Sequence, residues 1–171
     1  SNVLLKEYLK IDDKDKKGLI VGICDKKASG VCQTHKVGDT FDLTIGMDID
    51  DVTRPMLVTA TYKGSHDVLG YTIPTTPPIK RCEGATISIG NIDVVITDKA
   101  YAFTQEVNFR SCELDPGMYD VFVTKFGYIF PELKKMGKSF IMSNTPGESY
   151  QMITSFDYKK IKRPIYPIDK I

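Results

Sequence analysis

Thr86-Ile87-Ser88-Ile89-Gly90-Asn91-Ile92-Asp93-Val94-Val95-Ile96-Thr97 is the stretch on which the fold class turns. Two runs rich in β-branched residues flank a Gly-Asn pair, and both central residues tolerate positive φ. That is the chemistry of a two-residue hairpin turn, so the runs pair as antiparallel strands. Upstream, Phe41, Leu43 and Ile45 alternate with Thr40, Asp42 and Thr44, giving one dry and one wet face. Met56, Val58, Ala60 and Tyr62 alternate in the same way with Leu57, Thr59 and Thr61. The acidic residues Asp48, Asp50 and Asp51 between these strands read as a wet loop. Gly64-Ser65-His66-Asp67 reads as a hairpin turn. Residues 73–79 contain Pro74, Pro77 and Pro78 and read as an irregular link.

Nearer the amino terminus, Gly18–Cys24 reads as a buried strand. Asp25 then caps a helix that places Ala28, Val31, Cys32 and His35 on one face, with Gly38 placed to end it. Leu4, Leu5, Tyr8 and Leu9 fit a short amphipathic helix, followed by a charged connector at 12–17. Downstream, the pattern predicts a helix at 107–114, a turn at Asp115-Pro116-Gly117 and a buried strand at 119–124. A helix opened by Pro131 follows over Pro131–Met136, then a last strand at 139–142 and a turn at Pro146-Gly147. Strands fall in blocks and not in strict alternation with helices. The expected fold is therefore α+β, a mixed, mainly antiparallel sheet with a few short helices, in a single domain over 1–171.

Composition narrows the function classes. Of 171 residues, 42% are apolar and 26% charged, and the net charge is +1, so no global field recruits nucleic acid or an anionic membrane. No apolar run is long enough for a membrane helix. Four cysteines in a chain of this length read as free thiols of a cytoplasmic protein. Two histidines are too few for a metal cage built from this chain. Cys32 and His35, three apart on the expected helix, are the one pair that fits a thiol nucleophile with its base. The chain opens Ser1-Asn2, which reads as a processed start or a piece of a longer protein.

The carboxyl-terminal segment 159–171 carries Pro164 and Pro167, which forbid a regular helix or central strand. Ile165, Tyr166 and Ile168 make it too apolar for a solvated tail, so an extended segment that buries them is expected.

From about residue 18 to 169 the chain resembles the C-terminal domain of the microcystinase C (MlrC-like) metallopeptidase family. The resemblance is carried by Ile92-Asp93-Val94-Val95-Ile96-Thr97, by Phe109-Arg110-Ser111 followed by Leu114-Asp115-Pro116, and by the strand from Tyr119 to Lys125. Its most specific part is Tyr158-Lys159-Lys160-Ile161-Lys162-Arg163-Pro164-Ile165-Tyr166-Pro167-Ile168-Asp169, similar to the family's closing Tyr-Arg-Arg-Leu-Arg-Arg-Pro-Ile-Tyr-Pro-Leu-Asp. The chain departs from the family at Lys99-Ala100-Tyr101-Ala102 and at Tyr128-Ile129-Phe130-Pro131. The resemblance implies an accessory domain of a zinc-dependent amide hydrolase, with no cofactor in this domain and zinc in an N-terminal domain outside it. That catalytic domain is the implied partner, with a homodimer as a further expectation and no nucleic acid or membrane. Lys125, Arg163, Tyr166 and Asp169 are the implied substrate or interdomain contacts, against the alternative that Lys125 and Arg163 each pair with a nearby acid. A different class, a stand-alone binding or oligomerisation module, stays open at this point.

Overall fold

A computed structural model describes residues 2–11, 15–47, 54–144 and 152–170. The elements in chain order are α1 (Asn2–Tyr8), β1 (Gly18–Cys24), α2 (Lys26–Cys32), β2 (Thr40–Ile45), β3 (Met56–Gly70), β4 (Ile79–Ile89), β5 (Ile92–Thr97), α3 (Glu106–Arg110), β6 (Val121–Thr124) and α4 (Pro131–Met136). The six strands form one sheet in the order β2-β3-β4-β5-β1-β6. β2–β3, β3–β4 and β4–β5 pair antiparallel, whereas β1 pairs parallel with both β5 and β6. The sheet is thus mixed and mainly antiparallel, as the blocks of strands predict. The β4–β5 hairpin closes on Gly90-Asn91 with Ile89 opposite Ile92, and Gly90 takes the positive φ (59°) that such a turn requires.

Two apolar cores lie against the sheet. The first gathers Leu5 of α1, Ala28 and Cys32 of α2, and side chains from β1 to β5, among them Ile20, Leu43, Val58, Ile87 and Val94. The second gathers Leu19, Val21, Val68, Cys82 and Val95 under Phe103, Phe109, Cys112, Leu114 and Leu133. β1 and β5 therefore bury both faces, while β2 contributes to the first core alone. Each fully buried large side chain contributes about 1.5–3 kcal/mol.

Two glycine bulges pass side chains between these cores. In β1 the register slips at Gly22 (φ 76°), so Val21 faces the second core and Ile23 the first. In β3 the slip falls just before Gly64 (φ 143°): Tyr62 lies opposite Ile87 in the first core, and Val68 lies opposite Cys82 in the second. The Gly64-Ser65-His66-Asp67 stretch is consequently paired ladder inside one 15-residue strand, just after the bulge at Lys63, and not a hairpin turn. A glycine followed by polar residues signals both, and here the ladder with β4 continues past it.

Other boundaries differ from the sequence pattern. α2 stops at Cys32, with Gln33 as its C-cap, so His35 is not on the helix. α3 is one turn, because Cys112 and Leu114 both close back onto the Phe109 carbonyl. No strand forms at 139–142. The 48–51 loop and the Pro146-Gly147 turn lie outside the described residues. The chain forms two compact units, Ser1–Ile141, which holds the sheet, and Met142–Ile171.

Candidate functional site

The parallel strands β5 and β1 end side by side at Thr97 and Cys24, β6 ends at Thr124 opposite Val21, and each is followed at once by a charged residue: Asp98, Asp25 and Lys125. In open sheets with parallel strands this carboxyl edge is where ligands bind, since loops there are free to carry chemistry. The two acids are spent on structure. Asp25 is buried, and its Oδ1 accepts the Ala28 N–H at 2.9 Å, capping α2, while its Oδ2 accepts the Gly46 N–H at 2.9 Å. Asp98 Oδ1 accepts the Glu83 N–H at 2.7 Å and fixes the end of β5 against β4. Lys125 is exposed and makes no ion pair among the described residues. It stands at a strand end, and its positive charge reaches the half-exposed Cys24 thiol, which burial, then Asp25 and Asp98, push up against it. An exposed lysine at such an edge is suited to hold a carboxylate or phosphate.

Loop 98–105 covers the second face of this edge. The Tyr101 carbonyl lies over Gly22, where a Cβ would come within 2.9 Å, and Thr124 Oγ1 donates to the Phe103 carbonyl at 2.8 Å. Asn108 holds the loop: its Oδ1 accepts the Thr104 and Gln105 N–H groups, both at 2.9 Å, and its Nδ2 donates to the Leu69 carbonyl at 2.6 Å. Nothing in the sequence pattern singled out Asn108, because its role depends on β3 reaching Leu69, which the hairpin reading of 64–67 excluded.

A second polar cluster lies at the other end of β5. Asp93 accepts from Ser88 Oγ at 2.5 Å, from Tyr119 OH at 2.7 Å and from Lys63 Nζ at 2.9 Å. Burial works to raise the Asp93 carboxyl, but these three donors outweigh it and hold the group below its ordinary value. Burial and the neighbouring carboxylate push the Tyr119 phenol up.

Arg163, Tyr166 and Asp169 lie in the second unit, and Lys125 lies in the first. Arg163 grips Asp169 with both prongs of its guanidinium: Nε donates to Oδ2 at 3.0 Å and Nη2 donates to Oδ1. Asp169 Oδ2 also accepts the Ile165 N–H at 2.8 Å, and the Asp169 N–H returns to the Ile165 carbonyl at 2.9 Å. Hydrogen bonding raises the guanidinium and lowers the carboxyl from their ordinary values. Arg163 has thus the nearby acid that sequence reasoning offered as its alternative partner. The expectation that Ile165 and Tyr166 are buried is overturned, for they are 42% and 77% exposed. Proline spacing fixed the irregular backbone but could not say which way the apolar groups face.

The thiol reading fails on geometry. His35 stacks on Phe41 with centroids 3.7 Å apart and bonds through Nδ1 to the Val31 carbonyl, not to Cys32. Burial holds the thiols of Cys32 and Cys82 up to about 11 and that of Cys112 to about 12, far from thiolate chemistry at neutral pH. Among the described residues no three His, Cys, Asp or Glu converge as metal ligands, and the His35 ring is engaged in stacking. Two open concavities of about 240 and 250 Å³, one at Tyr71, Glu106 and Glu132 and one at Gln33, His66 and Glu83, are smaller than an ordinary ligand pocket. No helix among the described residues is long and apolar enough to cross a membrane.

A mixed, mainly antiparallel sheet with short helices packed on it, and an exposed lysine at the carboxyl end of one parallel strand, defines an α+β domain. The chain belongs to the family described as MlrC C-terminus, whose model matches residues 1–160. Its fold is similar to part of a solved structure named "Putative metallopeptidase", from Mesorhizobium sp. BNC1, with a TM-score of 0.81 at 14% identity. The similarity covers 100% of this chain and 35% of that one, so the chain spans about a third of the length of that protein. At such identity the likeness shows the fold. No curated protein matches the chain.

Proposed function

We propose that this chain is the accessory C-terminal domain of an MlrC-like zinc-dependent amide hydrolase. It packs on a catalytic domain outside residues 1–171 and walls its cleft or dimer interface. The observation that carries the reading is the family match over residues 1–160 to the C-terminal part of MlrC proteins. The likeness of fold to about a third of a longer chain supports the same view. Lys125 is the side chain of this domain that reaches the cleft, where its ammonium holds a carboxylate of the substrate. Zinc belongs to the other domain, and when bound there it supplies a polarised water for amide hydrolysis.

The test compares residues 1–171 with the longer polypeptide for bound zinc and for hydrolysis of small and cyclic peptides. Zinc and activity confined to the longer polypeptide are expected, with Lys125→Gln raising KM for acidic substrates by about tenfold or more. Stoichiometric zinc on the 171-residue chain, or a longer polypeptide with neither metal nor activity, overturns the reading.

A further inference from the structure

Resting on the reading of this chain as one part of a longer protein, we propose that residues 163–169 form a pre-shaped finger. Its tip, Ile165 and Tyr166, seats in an apolar recess on the part of the same polypeptide that precedes this domain.

The argument starts from the clamp. Four polar contacts close a seven-residue loop on itself: two from the Arg163 fork to Asp169, one from the Ile165 N–H to the Asp169 carboxylate and one from the Asp169 N–H to the Ile165 carbonyl. A forked pair fixes direction as well as distance. It leaves Arg163 electrically matched, so its task is to shape the loop and not to hold a ligand. Arg163 and Asp169 are positioning residues.

What the clamp presents is apolar. Tyr166 is exposed over three quarters of its surface, and Ile165 beside it over two fifths. Each lies against a proline in sequence, Pro164 or Pro167, whose fixed φ limits the freedom of the tip. A tyrosine held ready at a stiff tip loses little entropy on docking, which is what gives such residues their weight at interfaces. Charge narrows the partner. Lys160, Lys162 and Lys170 are exposed around the loop, so a two-fold contact between copies would set like charges face to face. The fitting surface has an acidic rim around its recess. Family and fold both point to a longer protein of which this domain is the C-terminal part, and that polypeptide supplies the surface.

The experiment places the photo-crosslinker p-benzoylphenylalanine at position 166 of the full-length protein. The expected adduct joins it to a residue of the same polypeptide outside 1–171. An adduct within 1–171, an adduct to a second copy, or no adduct at all overturns the proposal. Arg163→Lys, which keeps the charge and loses the fork, is expected to cut the yield by about tenfold, because the loop must then be ordered on docking. An unchanged yield overturns the positioning role, and Lys125→Gln is expected to leave the yield as it was. Zinc content and hydrolysis are read on the same samples. Crosslinking without zinc keeps the finger and sinks the hydrolase reading, whereas zinc and activity without crosslinking do the reverse.

Discussion

The two ends of the sheet are built by different rules. At the antiparallel end, β2 and the first half of β3 bury one face and leave the other to water: Thr40 shares a hydrogen bond with Thr61, Thr59 donates to Asp42, and Leu57 is 69% exposed. At the parallel end, β1 and β5 bury both faces, with the first core on one side and Phe103, Phe109 and Phe122 packed edge to face on the other. Two-sided burial fixes the ends of β1 and β5 in place, so Asp25 and Asp98 stand at defined positions, and Lys125 follows the half-exposed edge strand β6 beside β1. The one-sided end supplies area to the first core. The two-sided end carries the candidate site.

The largest effect that would break this contrast is a core truncation. Phe109→Ala is expected to cost about 3–5 kcal/mol in denaturant unfolding, and Leu43→Ala, at the one-sided end, nearer 2–3 kcal/mol. Equal losses would contradict the contrast between one-sided and two-sided burial. Next in size is Gly22→Ala, which forces a side chain onto a φ of 76° and within 2.9 Å of the Tyr101 carbonyl. A loss of about 1–3 kcal/mol is expected by the same measurement.

Asp93 joins the two ends, since its three donors come from β3, from β4 and from the segment before β6. Its carboxyl is held below the ordinary 3.8, so its stabilisation is complete above the unfolded value and is lost as pH falls through the lower, folded one. The stability gap between the wild type and Asp93→Asn should therefore be constant near neutrality and shrink below about pH 4. A gap that widens on acidification contradicts this. The smallest effect belongs to Leu57→Thr on the wet face, expected within about 0.5 kcal/mol of wild type. A larger loss would mean that this face is covered in solution.

The same contrast explains what the sequence made legible. Alternating wet and dry residues gave β2 and the start of β3 directly, because one-sided burial writes itself as a period of two, and the Gly90-Asn91 pair gave the β4–β5 hairpin through its turn chemistry. The continuation of β3 beyond Tyr62 was hidden by Gly64: the bulge moves the inward set to the other core, so the alternation no longer points at the same neighbours. Parallel neighbours cannot be read locally at all. Gly18 meets Asn91 and Ile92 on one side and Val121 on the other, across separations no turn signal spans. Lys125 was legible as a residue at a strand end, since Tyr119 to Thr124 carries the apolar pattern. The partner of Arg163 was legible only as an alternative, because Asp169 lies six positions along the chain and no regular element fixes that distance. Ile165 and Tyr166 were misread for a related reason, apolar character giving no direction once periodicity is lost.

The most direct measurement is made in trans. The 171-residue chain and the separately produced preceding part of the longer polypeptide are mixed, and association is followed by calorimetry and hydrolysis by product formation. The expected result is a saturable complex whose peptide hydrolysis exceeds that of the preceding part alone by about tenfold or more. A preceding part that is fully active by itself and does not bind this chain would contradict an accessory role for the domain.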